Sequence, residues 1–167
     1  MRVMGIDPGS KCTGCGVIDE VNSELKVVYW GSIKTKPRQS FPKRLKFIYD
    51  ELVAVIKEFN PDEIAVEDMF FATNVKSALK LGQTRGVAIL SAVNEGKPVA
   101  EYSPLEVKQS VVGYGRAEKQ QVQDMVTTLL RLKEKPETFD ASDALAIAIC
   151  HIHAATANLK IKTAKGT

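Results

Sequence analysis

Four acidic side chains stand where a buried segment ends. Asp7 follows the apolar run Val3-Met4-Gly5-Ile6, and Glu67 follows Ile64-Ala65-Val66 with Asp68 beside it. Asp140 and Asp143 open a segment that is otherwise almost entirely apolar. Spaced i, i+3 on a helix, these two carboxylates share one face about a turn apart. Carboxylate oxygens are the natural ligands of hard divalent cations such as Mg²⁺ and Mn²⁺, and two such cations can clamp both sides of a phosphoryl transfer. Each acid also has an ordinary role available. Asp140 and Asp143 complement the dipole at a helix start, Asp7 before Pro8-Gly9 suits a turn, and Glu67-Asp68 suits a loop edge. Spacing alone does not bring the four together; that depends on the elements carrying them.

Those elements are legible in outline. Val3–Asp7, Gly14–Asp19 and Leu25–Trp30 have the short apolar pattern of strands, and their short separations predict antiparallel neighbours. Ser40 is placed to cap a helix with Pro42 in its first turn, and Leu45, Ile48, Leu52, Val55, Ile56 and Phe59 continue it at helical spacing. Ile64–Glu67 reads as a core strand, Asn74–Asn94 as a long helix and Pro98–Tyr102 as a strand. Helices over Pro104–Val112, Ala117–Leu132 and Phe139 to about Asn158 complete the chain. The expected fold is α/β: a mixed five-stranded sheet, three antiparallel strands followed by parallel strands, flanked by helices. It is read as one domain over 1–158, with 159–167 a basic, disordered tail.

Composition limits the functional classes. The 167 residues suit one domain, and 44% hydrophobic with 26% charged residues is the make-up of a globular chain. The longest apolar run, Ala144–Cys150, is seven residues and far too short for a bilayer. Three cysteines without a targeting segment indicate a reduced, cytoplasmic protein. The net charge of +3 resides entirely in the tail, on Lys160, Lys162 and Lys165. The neutral remainder separates its signs: Leu25–Tyr49 holds seven bases and no acid, and Met69–Asn94 holds Lys76, Lys80 and Arg85 and no acid. A near-neutral chain can thus present a basic face to nucleic acid. Phe70 and Phe71 follow the Glu67 strand, one of them expected in the core and the other free to stack on a base, worth about 1–3 kcal/mol.

Several segments taken in order resemble the RuvC-type Holliday junction resolvases. They are Gly5-Ile6-Asp7-Pro8-Gly9-Ser10 with Thr13-Gly14; Val66-Glu67 with Phe70; Ser77-Ala78-Leu79-Lys80-Leu81-Gly82-Gln83; Arg85-Gly86-Val87-Ala88; Val107-Lys108-Gln109-Ser110; Ala117-Glu118-Lys119; and Asp140-Ala141-Ser142-Asp143-Ala144-Leu145-Ala146. A lone Gly-Ile-Asp-x-Gly is a weak signal, but the series spans about residues 1–155. The resemblance implies a ribonuclease H-like fold and a homodimer. It also implies Mg²⁺-dependent paired nicking of a four-way DNA junction in strands of like polarity, in recombination and repair, leaving 5′-phosphate ends that a ligase can rejoin. Asp7, Glu67, Asp140 and Asp143 fall on its four metal positions, with two Mg²⁺ per subunit and Mn²⁺ able to substitute. Some relatives carry histidine where Asp140 stands. Lys108 and Lys119 match bases lining the cleft, with Lys119 in a catalytic role, and Phe70 matches an aromatic that stacks at the junction centre. Lys76, Lys80, Arg85 and Arg116 are the further bases expected on DNA. The RuvA-RuvB branch-migration complex is the implied partner.

Rival readings stay in view. Asp-x-Gly-Ser after a first strand also opens the phosphate loop of actin-like and sugar-kinase ATPases, which need two such domains. YqgF-type ribonuclease H-like proteins act on RNA and lack the Asp140–Asp143 helix with the Lys108 and Lys119 segments. A non-catalytic junction-binding module would need the bases and not the acids. Cys12-x-x-Cys15 has redox spacing but enters a strand rather than a helix, and Cys150-His151-Ile152-His153 lies on an apolar helix, the histidines expected near its end.

Overall fold

The computed structural model describes residues 1–68 and 74–164, with side chains as far as Asn158. Phe70 and Phe71 lie outside the described residues, as do the side chains of the tail lysines. Five strands, β1 (Arg2–Asp7), β2 (Cys12–Val21), β3 (Glu24–Lys34), β4 (Glu63–Glu67) and β5 (Val99–Tyr102), form one sheet in the order β3-β2-β1-β4-β5. β1 pairs antiparallel with β2 and β2 with β3, whereas β1 with β4 and β4 with β5 are parallel. The mixed sheet expected from the sequence is the one observed.

β2 and β3 are longer than their apolar patterns suggested. Asn22 and Ser23 both take positive φ, 53° and 66°, the geometry of a type I′ turn, whose twist matches that of the flanking strands and lets the ladder run right up to it. The ladder pairs Cys12 with Lys34 at its far end, with a register shift at Val17/Ile18. Among the described residues five helices cover the sheet: α1 (Phe41–Phe59), α2 (Val75–Asn94), α3 (Pro104–Val112), α4 (Lys119–Leu129) and α5 (Phe139–Ala164). Ser40 occupies the N-cap of α1 without a side-chain cap, and Pro42 stands in the first turn. α5 continues beyond the end near Asn158 that the sequence suggested.

Strand alternation divides the core in two. Met4, Ile6, Cys15, Val17, Ile64 and Val66 face α1 and α2, meeting Ile48, Leu52, Ile56, Ala88 and Ala92. Val3, Ile18 and Ala65 face the other way, toward α3, α4 and α5, meeting Val107, Val111, Val122, Val126 and Leu145. Asp7 has the parity of Val3, and Glu67 that of Ala65. Both acids therefore point to the α5 side of the sheet, each at a strand's C-terminal end.

α5 lies unusually close to the strands because three sheet positions lack side chains. A Cβ on Gly5 would strike the Ala144 carbonyl oxygen, one on Gly14 the Asp140 carbonyl oxygen, and one on Gly16 the Leu145 side chain. These glycines seat the first turns of α5 directly against β1 and β2. Thr138 fixes the entry: its Oγ1 accepts from the Ala141 N–H at 3.2 Å and shares a 2.6 Å hydrogen bond with the Ser32 hydroxyl of β3.

Candidate active site

The fold gathers the four acids on one face. Asp7 and Glu67 come from the ends of adjacent parallel strands, and Asp140 and Asp143 from the first turn of α5 above them. Their mutual influence follows from that placement. Burial, then the charges of Glu67, Asp143 and Asp140, push the Asp7 carboxyl up to about 8, against the opposing pull of Lys119. Burial and Asp143 push Glu67 up to about 7, opposed by Lys119 and Lys108. Asp143 is also raised, by burial above all, although Lys119 counters it through its charge and a 3.2 Å hydrogen bond from Nζ to Oδ2. Lys119 is itself raised: Asp143, Asp7 and Asp140 together outweigh the lowering effect of its burial. Among the described residues no three His, Cys, Asp or Glu side chains form a closed ligand group. The acids share one electrostatic field rather than a finished cage, as like charges at close quarters should.

The two lysines come from α3 and α4, which pack with α5 on the same side of the sheet. Lys119 is the first residue of α4, placed there by a capping box in which the Glu118 N–H donates to Gln121 Oε1 at 2.8 Å. Lys108 lies on α3, whose own capping box joins Ser103 and Glu106. Lys76, Lys80 and Arg116 are exposed, available to a ligand arriving from solvent. Arg85 is engaged within the fold, by Asp68, Glu101 and the Glu67 backbone.

Three features of the site were not singled out in the sequence. The glycine seat for α5 is one; alternating Gly14-x-Gly16 in a strand is its trace in the sequence. A second is the link from Cys12 to Asp140: the thiol, weighed in the sequence only for its redox spacing, is raised by burial and by a hydrogen bond to Asp140. A third is the clustering of Lys11, Arg44 and Lys80 around a cavity of about 430 Å³ with Asp140 in its wall. Cys12 and Cys15 sit on opposite faces of β2, Cys15 in the α1 and α2 core, and both thiols are free. This disposes of a redox pair. His151 is not near a helix end. It is buried midway along α5, with Nδ1 at 2.9 Å from the Tyr102 hydroxyl and Nε2 at 2.9 Å from Glu63.

The raised carboxyls carry a sign. A carboxyl whose folded pKa lies above its unfolded value binds its proton more tightly in the native state, so stability falls as pH rises between the two. For Asp7 that window runs from the ordinary 3.8 to about 8. Asp7→Asn should therefore raise the melting temperature of the metal-free protein at pH 8, by about 2–4 °C per kcal/mol relieved. The gain should shrink toward zero near pH 4. Calorimetric scans at both pH values measure it; an equal gain at pH 4 would mean that the cost of ionising a buried Asp7 beside the other acids is not its origin.

A mixed sheet with acids at the ends of two adjacent parallel strands, completed by two more on a helix laid across them, is the ribonuclease H-like nuclease arrangement. Comparison with known proteins takes this further. The family model described as Crossover junction endodeoxyribonuclease RuvC matches residues 3–151. A curated relative from Pelobacter propionicus, bearing the same description, is 56% identical over 153 residues, covering 92% of this chain and 86% of its own. One from Alkaliphilus oremlandii is 53% identical, covering 92% and 93%. The solved structure of Thermus thermophilus RuvC in complex with Holliday junction substrate superposes with a TM-score of 0.87 at 36% identity, covering 93% of this chain and 94% of that one. The chain belongs to the RuvC family of crossover junction endodeoxyribonucleases.

Proposed function

We propose that this protein resolves four-way DNA junctions as a homodimer, by metal-dependent hydrolysis of one phosphodiester in each of two strands of like polarity. The observation that carries the chemistry is the carboxylate set itself. Asp7 lies in the field of Glu67, Asp143 and Asp140, with Lys119 and Lys108 as the neighbouring cations, and burial with mutual repulsion lifts Asp7 to about 8 and Glu67 to about 7. Buried anions at such a cost invite a compensating cation, and an all-oxygen donor set suits Mg²⁺ or Mn²⁺. Asp7, flanked by Glu67 on one side and the α5 pair on the other, is the natural shared ligand, with Glu67, Asp140 and Asp143 completing the set. When bound, two such ions supply an activated water and charge stabilisation for the leaving 3′ oxygen.

The protein's own groups do the rest. Asp7 and Glu67, projecting from adjacent strand ends, set where the ions would sit relative to α5. Lys119, first in its helix and tied to Asp143, presents an ammonium to the charge that builds on the phosphate oxygens. Lys108 adds a second positive charge on the same wall. Lys76, Lys80 and Arg116 give solvent-facing bases to the DNA arms, and Phe70 is the aromatic proposed to stack at the junction centre. Neutralising Lys76 and Lys80 together should weaken junction binding and make its dependence on log[salt] shallower by about two, at roughly 0.9 per phosphate contact. Fluorescence anisotropy over 50–200 mM salt reads that slope; an unchanged slope would remove α2 from the DNA interface.

A dimer is supported by α2. Val75, Leu79, Leu90 and Val93 are exposed along it, and the open positions Gly82 and Gly86, where a Cβ would meet nothing within 4 Å, lie in the same stripe. Two copies related by a two-fold axis would cover this stripe and supply one active site for each strand. Leu79→Glu should give a monomer by sedimentation that no longer cuts both strands of one junction within the complex's lifetime; a stable dimer would place the contact elsewhere. On a synthetic junction with Mg²⁺, the products should be two nicked duplexes that a ligase seals. Gapped or flapped products would contradict paired symmetric cutting. In the cell the junction would be shared with the RuvA-RuvB branch-migration complex.

A further inference from the structure

Arg85 sits midway along α2 in a stretch without acids, which made it a natural DNA contact in the sequence. In the fold its guanidinium turns inward, to the ends of β4 and β5. Its Nε donates to the backbone carbonyl of Glu67 at 3.1 Å. A terminal nitrogen pairs with Asp68 at 3.2 Å and also with Glu101, and the side chain is only 21% exposed. We infer that Arg85 is a positioning residue for the reaction, fixing the main chain at Glu67 and so the direction in which that carboxylate enters the cleft. This rests on the reading of Glu67 as a metal ligand.

The need for such a group follows from the sheet. Pairing of β4 with β1 ends at Val66, one residue short of Glu67. Beyond that point the chain is held on the β5 side, where Glu67 stands opposite Tyr102 and the Asp68 N–H donates to the Tyr102 carbonyl at 2.7 Å. The last residue of a strand with a ladder on one flank is free to twist, and a side chain rooted there swings with it. Arg85 restrains it from α2, whose Ala88 and Ala92 are themselves locked in the core. The contact also deals with an electrostatic problem. Asp68 and Glu101 lie on neighbouring strand ends, and without a cation between them these two carboxylates would repel one another where the Glu67 backbone is held. A planar guanidinium can serve the carbonyl through Nε and the carboxylates through its terminal nitrogens at once, which an ammonium cannot do in the same geometry.

The test uses Arg85→Lys and Arg85→Gln in the full chain, with Lys80→Gln and Glu67→Gln alongside. Junction affinity is measured in EDTA over a range of salt. Metal affinity is measured by titrating Mn²⁺ in calorimetry and, separately, by the Mg²⁺ concentration giving half-maximal cleavage. Loss of an outer group that orients a ligand costs about 10–100-fold in metal affinity, so both metal midpoints should rise by that factor in Arg85→Gln and less in Arg85→Lys. Junction affinity and its salt slope should stay within twofold of the parent. Lys80→Gln should do the opposite, weakening DNA binding and leaving the metal midpoints in place. A shallower salt slope in the Arg85 variants would make Arg85 a phosphate contact and overturn the inference. A lowered melting temperature with unchanged metal midpoints would overturn it too, leaving a merely structural role. Glu67→Gln isolates the underlying reading: unchanged metal midpoints there would refute Glu67 as a ligand, whatever Arg85 does.

Discussion

Asp7→Asn is expected to lower the rate of junction cleavage by about 10³-fold or more. A shared metal ligand supports several kcal/mol of transition-state charge stabilisation, and each 1.36 kcal/mol is a factor of ten. The substitution keeps the shape and burial of the side chain and removes only its charge, so the strand end should be undisturbed. Binding should survive. In EDTA the variant should hold a four-way junction as tightly as the parent, since a carboxyl pushed up to about 8 carries little charge at neutral pH without metal and its loss leaves the surface almost unchanged. The prediction separates two roles that a single loss of activity would confuse. Single-turnover cleavage on a labelled junction gives the rate, and anisotropy in EDTA gives the affinity. Cleavage within tenfold of the parent would remove Asp7 from the centre of the chemistry.

The second large effect concerns a residue with no functional group at all. Gly14→Val should destabilise the protein by about 3 kcal/mol or more, beyond the usual cost of overpacking. The added Cβ would meet the backbone of Asp140 and Ala141, which cannot rotate aside as the end of a side chain can. The helix must lift, and the residue it carries away from the sheet is one of the four acids. A variant that still folds should therefore bind junctions and fail to cut them. Gly82→Ala is the contrast: its Cβ points into open space and it replaces a helical glycine, so folding of the monomer should be unharmed or improved by about 1 kcal/mol. Urea titrations of the two variants check both signs, and equal effects would mean that close approach of α5 to the sheet is not what Gly14 provides.

These cases show what can be read from a sequence and what cannot. The acids drew attention as a set, four carboxylates at the ends of buried elements, although each alone has an ordinary role available, and the element order followed from periodicity. The order of strands in the sheet and the parity that turns Asp7 and Glu67 to the same face follow from that outline once β1 and β4 are known to pair. Arg85 could not be read in this way. A base in an acid-free stretch looks free for DNA, and its partners Asp68 and Glu101 become neighbours only through the β4–β5 register. His151 was hidden for a similar reason: Glu63 lies 88 residues from it, and no local pattern announces the pairing. The length of β3 was missed because its alternation, half-exposed at nearly every second residue, is weaker than the turn that sets it.

The net charge of this chain gives little hint of its work, since a balanced body hides both the acids proposed to hold metal and the bases proposed to hold phosphate. The most direct test offers the purified protein a four-way junction, a linear duplex of the same sequence and a structured RNA, each with Mg²⁺ and with EDTA. Paired cuts in two strands of like polarity, on the junction alone and only with Mg²⁺, are the predicted result. Cleavage in EDTA, or equal cutting of the linear duplex or the RNA, would contradict a metal-dependent junction resolvase built on Asp7, Glu67, Asp140 and Asp143.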